Sequence, residues 1–400
     1  MGHPLRSLPA LFFALWVFFL PGPADAQEPI LVSYERNFVR ANLAAKADIL
    51  RDAATDEQSG EFIGTLCDFA LEFVLDNAEL LRDDPDMIAL AGIAARGAGN
   101  ANHTPAAGTL WKVFQVYHDS YSRVEVLGAL AKLGKGNSQV IENLNQYLAN
   151  QNSLFSSGMA PDYPTLTACI RTLGALGDGS SFPVLFSTMT AGYAQNISGA
   201  ILTALESIEG NYKEYLIDVI RNNPPEEKQA AFRLGTYNEK FTETERGELA
   251  ETALEVTMED FSGNPETLAV LSSLRYAAVA VITQLQWTRA TPLAIRHFYR
   301  VQTDFGNGAT TKDRFLEGIN CLGAMGNSDA AQVLAIQLGF FNSRTEQNGN
   351  YDEAVIMALV DALGKIGDKV AFDYLLYIGY LSYPESVQAA AREALNQLKW

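Results

Sequence analysis

Apolar residues recur every three or four positions along most of this chain, the period of helices that bury one face. A stretch near the C-terminus shows the pattern most clearly. Ile356, Leu359, Val360, Leu363 and Ile366 form a stripe at helical spacing, preceded by Asn350, Asp352 and Glu353. Those three residues put hydrogen-bond acceptors and negative charge where a helix start leaves amides free. Gly367 follows the stripe and predicts a left-handed helix end. Asp368 is then placed to cap a second helix from about Val370 to Leu381. Phe372, Leu375, Leu376, Gly379 and Tyr383 share one face of that helix, with Tyr374 and Tyr377 opposite. A helix apolar on two sides needs neighbours on two sides, and stacked helical pairs supply them.

The same wording returns along the chain. Leu173-Gly174-Ala175-Leu176-Gly177-Asp178 is repeated as Leu322-Gly323-Ala324-Met325-Gly326-Asn327 and as Leu363-Gly364-Lys365-Ile366-Gly367-Asp368, with a looser copy at Leu130-Ala131-Lys132-Leu133-Gly134-Lys135. Gly97, Gly134, Gly177, Gly326 and Gly367 therefore read as the turns that end the first helix of each repeat. Degenerate copies fall around Ile208-Glu209-Gly210, Leu234-Gly235 and Leu285-Gln286-Trp287, so the array is irregular at about 210–290. The mean step is about forty residues, the period of two-helix repeats. Pro105, Pro183 and Pro292 fall at the starts of predicted second helices, where proline is tolerated. Two helices, about 34–54 and 59–82, lack the phrase and predict an N-terminal cap over 27–84, with the repeats filling 85–400. Segments 149–163, 302–313 and 341–351 read as polar loops, and 385–400 as a closing helix.

The phrase Leu-Gly-x-Φ-Gly-Asp/Asn, followed by a Leu-rich second helix, resembles HEAT and HEAT-like repeats over about residues 85–400. The resemblance implies an all-α fold, an α-solenoid of two-helix repeats. Within that family it also implies a scaffold or protein-binding surface.

The first residues change the picture of where such a surface works. Arg6 precedes an apolar run from Ala10 to Leu20, Pro21-Gly22-Pro23 interrupts it, and Ala24-Asp25-Ala26 supplies small residues for cleavage. The run is shorter than the roughly 20 residues that span a bilayer, so 1–26 reads as a signal peptide of bacterial type. The expectation is an exported chain, periplasmic or extracellular, beginning at Gln27, with no integral membrane segment after cleavage. The net charge is −18. Such an acidic surface repels nucleic acid and points to a protein partner with a basic patch. Cys67, Cys169 and Cys321 lie far apart in apolar segments, which is not a disulfide framework.

Catalytic and cofactor chemistry finds little footing. His103, His118 and His297 stand at no metal-ligand spacing from one another or from a cysteine, with His118 and His297 in predicted second helices. The Gly-rich stretches follow helices, whereas a phosphate cradle follows a strand. Neither a cofactor nor a metal is expected, and Asp84 or Asp86 reads as a helix cap. Aromatic residues are the better signal. Trp111, Phe114, Tyr117 and Tyr121 follow one another at helical spacing, as do Tyr374, Tyr377 and Tyr380. Inter-repeat packing competes for all of them, but rings reaching the face of the array are natural contact anchors. Trp111, Tyr117, Tyr374 and Tyr377 are the binding candidates. The expected function is a non-catalytic scaffold that binds protein partners in envelope assembly. The alternative is a secreted helical enzyme acting on envelope polysaccharide through paired carboxylates in a groove.

Overall fold

A computed structural model of the chain describes residues 23–55, 58–259, 264–349 and 351–399. The apolar run Ala10–Leu20, on which the export expectation rests, lies outside the described residues. Two compact units are present, one up to Gly210 and one from Asn211 onward. Among the described residues no strand forms, and one isolated bridge joins Asp368 to Lys399.

The first unit opens with α1 (Pro23–Arg40), α2 (Leu43–Thr55), α3 (Gly60–Asp76) and the single turn α4 (Ala78–Leu81). Then come α5 (Pro85–Asn100), α6 (Ala107–Val116), α7 (Ser120–Leu133) and α8 (Ser138–Ser156). It closes with α9 (Tyr163–Leu176), α10 (Phe182–Thr190) and α11 (Gln195–Ser207). The second unit begins with α12 (Lys213–Asn222), α13 (Pro225–Thr236), α14 (Glu243–Glu259) and α15 (Pro265–Leu285). It continues through α16 (Thr291–Gly306), α17 (Lys312–Met325), α18 (Ser328–Asn348), α19 (Glu353–Ile366), α20 (Phe372–Ile378) and α21 (Glu385–Asn396). In the first unit α3, α5, α7, α9 and α11 stack in one layer, and α6, α8 and α10 in the other. In the second unit the odd-numbered helices α13 to α21 and the even-numbered α12 to α20 do the same. The chain is therefore all-α, and each unit is a solenoid-type stack of alternating helices.

Local chemistry sets the helix ends much as the pattern predicts. Asp84, Asp352 and Asp368 accept amide hydrogen bonds at the starts of their helices, and each such cap is worth about 1 kcal/mol. Gly177, Gly326 and Gly367 end α9, α17 and α19 with φ of 68°, 64° and 71°, a left-handed conformation that side chains disfavour. The turns are also tied to the next repeat: the Gly177 carbonyl accepts from Glu209 N at 2.7 Å, and that of Gly367 from Lys399 N at 2.8 Å.

The glycine before each turn has a different task. A Cβ at Gly174 would lie 2.8 Å from Ala204 Cα, and one at Gly364 would lie 3.0 Å from Ala394 Cβ. Gly99 against Ala129 and Gly323 against Ala362 repeat the arrangement. Small residue thus meets small residue where successive odd helices cross, which sets how closely the repeats stack.

Several expectations are corrected. Gly97 lies inside α5, where a Cβ would meet Cys67 Sγ at 2.4 Å, so it is a packing glycine, and the left-handed residue is Asn102 with φ 53°. Gly134 does end α7, but at φ −88°, outside the left-handed region. Gly235 is interior to α13. The expected helix over 34–54 is two helices, α1 and α2. Lys46, 3% exposed, donates to the Val39 carbonyl at 3.1 Å and so satisfies the end of α1. Lys228 does the same for Ile220 and Arg221 at 2.8 and 2.7 Å. The expected loops at 149–163, 302–313 and 341–351 are largely helix ends, because α8, α16 and α18 run on into them. Their polar residues pair with the neighbouring repeat: Asn152 donates to Thr188 at 3.0 Å and Asn342 to the Tyr374 carbonyl at 3.0 Å. His118 lies in the connection after α6, beside Arg123. Among the described residues α15 alone is long and apolar enough to cross a membrane; here it packs against α13, α14 and α17 and carries Arg275.

Candidate functional site

The four aromatic candidates divide by burial. Tyr117 is 1% exposed, and its hydroxyl donates to the Val74 carbonyl at 3.2 Å. Burial, reinforced by Asp119, pushes its phenol up to about 12. No ring face is left for a partner, so Tyr117 leaves the contact set and counts as core. Trp111 is half-buried and stacks on Phe114 with centroids 5.0 Å apart, and Phe114 in turn meets the edge of Tyr147 at 4.9 Å. Tyr374 is half-buried, with its ring filling the space that a side chain at Gly339 would take, 2.7 Å from the ideal Cβ. Only Tyr377 is exposed, and its hydroxyl donates to Glu346 Oε1 at 2.7 Å, a bond that raises the phenol above its ordinary value.

The structure adds exposed apolar residues that the four candidates did not include. Tyr299 on α16 is 47% exposed, Ile336 and Phe340 on α18 are 53% and 55%, and Tyr380 just after α20 is 77%. These three even-numbered helices pack in sequence, α16 on α18 and α18 on α20. Ile336 and Phe340 stand four positions apart, a spacing that places them on one face of α18. With Tyr377 they give this layer of the second unit a series of exposed apolar side chains.

A cavity of about 410 Å³ lies in the same unit, between α15, the end of α16, the 309–311 loop and the start of α17. Arg275, Tyr276, Asp304 and Arg314 line it, with hydroxyls from Ser272, Ser273, Thr310 and Thr311. Arg275 is 4% exposed, yet its Nε has no hydrogen-bond partner. The guanidinium carbons of Arg275 and Arg314 sit 5.1 and 4.1 Å from the centre of the Tyr276 ring. His297, fully buried, meets the same ring edge-on at 5.5 Å, and neither of its nitrogens has a partner. Burial, then the positive charges of Arg275, Arg300 and Arg314, lowers His297 to about 3. The Arg275 guanidinium is itself lowered, by burial and by Arg300. Arg314 pairs with Glu317 at 2.6 Å. Within a chain of net charge −18 this is a local reversal of sign. No sequence motif announces it, because its lining residues come from three helices and a loop.

Among the described residues no three His, Cys, Asp or Glu side chains gather as metal ligands. All three cysteines are buried and free. No family model matches the chain, and no curated protein matches it. One solved structure, from work on a conserved phosphorylation switch that controls the interaction between cadherin and beta-catenin in vitro and in vivo, is similar over 94% of this chain and 98% of that one, at 13% identity and a TM-score of 0.30. The fold assignment rests on the helix packing described above.

Proposed function

We propose that this chain is a non-catalytic HEAT-like repeat protein that binds a protein partner through the even-numbered helices α16, α18 and α20. The carrying observation is the series Tyr299, Ile336, Phe340, Tyr377 and Tyr380, each more than a third exposed on one layer. Exposed aromatic side chains are the usual anchors of protein interfaces. The signal-like pattern of residues 1–26 supports a place in the envelope or the extracellular space, and the proposed role there is assembly. The net charge of −18 favours a partner with a basic patch, whose association slows and weakens as salt screens the attraction. A glycoside-cleaving groove uses two carboxylates, and the Arg275 cavity carries one, Asp304.

Phe340→Ala and Tyr380→Ala are each expected to weaken partner binding by about tenfold or more, the scale of an interface hot spot. Trp111→Ala is expected to leave affinity unchanged while lowering the melting temperature through lost packing. Titration of the partner against correctly folded variants, checked by circular dichroism, decides the matter. Wild-type affinity in both Phe340→Ala and Tyr380→Ala removes this face from the interface.

A further inference from the structure

We infer that the cavity between α15, α16 and α17 is a binding site for a small oxyanion, a phosphate or carboxylate group on a molecule of metabolite size. The inference is independent of the partner surface. It begins with the cost of Arg275. A guanidinium that is 4% exposed has lost most of its hydration, and a buried charge is tolerated when it is paired and its donors are used. Here the Nε–H of Arg275 is unused. Among the described residues neither Arg275 nor Arg300 forms an ion pair within 4.0 Å of a carboxylate. Asp304 lines the cavity and acts on Arg275 only as a more distant charge, the weakest of the influences on it. Arg275 and Arg314 on the lining, with Arg300 near enough to act on Arg275, stand against Asp304 and Glu317 and leave a positive surplus that an anion would neutralise.

The geometry suits such a ligand. Arg275 and Arg314 both stack on Tyr276. Arg314 spends one donor on Glu317, which leaves its remaining N–H groups and the unpartnered Nε–H of Arg275 for the oxygens of a carboxylate or phosphate. Ser272 and Thr310, which carry hydroxyls, also line the cavity. The 14-residue helix α17 begins at Lys312, next to Thr311 on the rim, and its N-terminal partial charge adds to the attraction. His297 stays neutral behind Tyr276, so it adds no further repulsion to the arginines. A volume of about 410 Å³ exceeds a bare inorganic anion and falls within the range of small-molecule pockets.

The test is calorimetric titration of the full chain with sodium phosphate and, separately, sodium acetate, against sodium chloride at matched ionic strength. One saturable site is expected with at least one oxyanion and not with chloride. The tighter probe identifies the group: phosphate for a phosphoryl ligand, acetate for a carboxylate. Arg300→Gln and Arg314→Gln, both partly exposed and chosen to preserve folding, are expected to weaken that binding about tenfold or more. Arg275→Gln is expected to abolish it, and if that variant fails to fold the other two decide. Absence of saturable binding by both probes overturns the site, as does wild-type affinity in folded Arg300→Gln and Arg314→Gln.

Discussion

Gly174→Val and Gly364→Val are each expected to destabilise the unit that holds them by about 3 kcal/mol or more, the upper range for overpacking a well-packed contact. The reason lies in the neighbouring helix. At Gly174 the nearest atom to a new Cβ is the Ala204 backbone at 2.8 Å, and backbone cannot rotate away as a side chain does. At Gly364 the Ala394 Cβ and Cα stand at 3.0 and 3.2 Å, with Gln397 Oε1 at 2.9 Å. A β-branched side chain adds two further carbons to each clash, so successive odd-numbered helices must move apart. Gly128 is the internal control. It is exposed in the middle of α7, with nothing within 4 Å of a new Cβ. Gly128→Ala is expected to gain up to about 1 kcal/mol, because alanine is the better helix former. Thermal melts followed by circular dichroism check all three. Equal melting temperatures for Gly174→Val, Gly364→Val and wild type would show that the repeats do not meet through these glycines.

The second large effect concerns pH. His297 is lowered to about 3 in the folded chain, by burial first and by Arg275, Arg300 and Arg314 after that. In the unfolded chain it titrates near its ordinary 6.5. Above pH 6.5 both states are neutral and the residue contributes nothing to the pH dependence. Below it the unfolded state takes up the proton first, so stability falls as the pH drops from 6.5 toward 3. The slope approaches about 1.4 kcal/mol per pH unit. His297→Phe keeps a ring against Tyr276 and removes two buried nitrogens that have no partner. The variant is therefore expected to match or exceed wild-type stability at pH 7 and to lose less of it between pH 6.5 and 4.5. Denaturant melts across that range measure the difference. Parallel losses in wild type and variant would mean that His297 is protonated or solvated in the fold.

Helices and their ends were legible in the sequence because local chemistry decides them. The Ile356–Ile366 stripe, the Asp352 and Asp368 caps and the left-handed Gly177, Gly326 and Gly367 depend on residues within a few positions of one another. Contacts between repeats were not legible. The role of Gly174 is set by Ala204 on another helix, and Gly97 looked like a turn although Cys67 on α3 makes it a packing contact. The ends of α8 and α18 looked like loops because they are polar. Asn152 and Asn342 instead place their amides on the next repeat. Tyr117 and Tyr380 share a residue type and occur in similar aromatic series, yet one is 1% exposed and the other 77%. Second helices are apolar on two sides, so periodicity alone cannot tell the inward ring from the outward one. The arginine cavity was hidden for the same reason as the glycine contacts, since Arg275, Asp304 and Arg314 lie on α15, α16 and α17.

The central claim is that the α16, α18 and α20 layer is where a protein partner sits. Site-specific photo-crosslinking tests it most directly, with a photoreactive phenylalanine analogue placed at Phe340 or Tyr380 in cells that make the protein natively. Leu80, 89% exposed at the end of α4 in the other unit, serves as the control position. The account predicts that positions 340 and 380 yield the same discrete adduct with one partner protein, that position 80 does not, and that Tyr377→Ala diminishes the yield. Adducts at position 80 but none at 340 or 380 would contradict it.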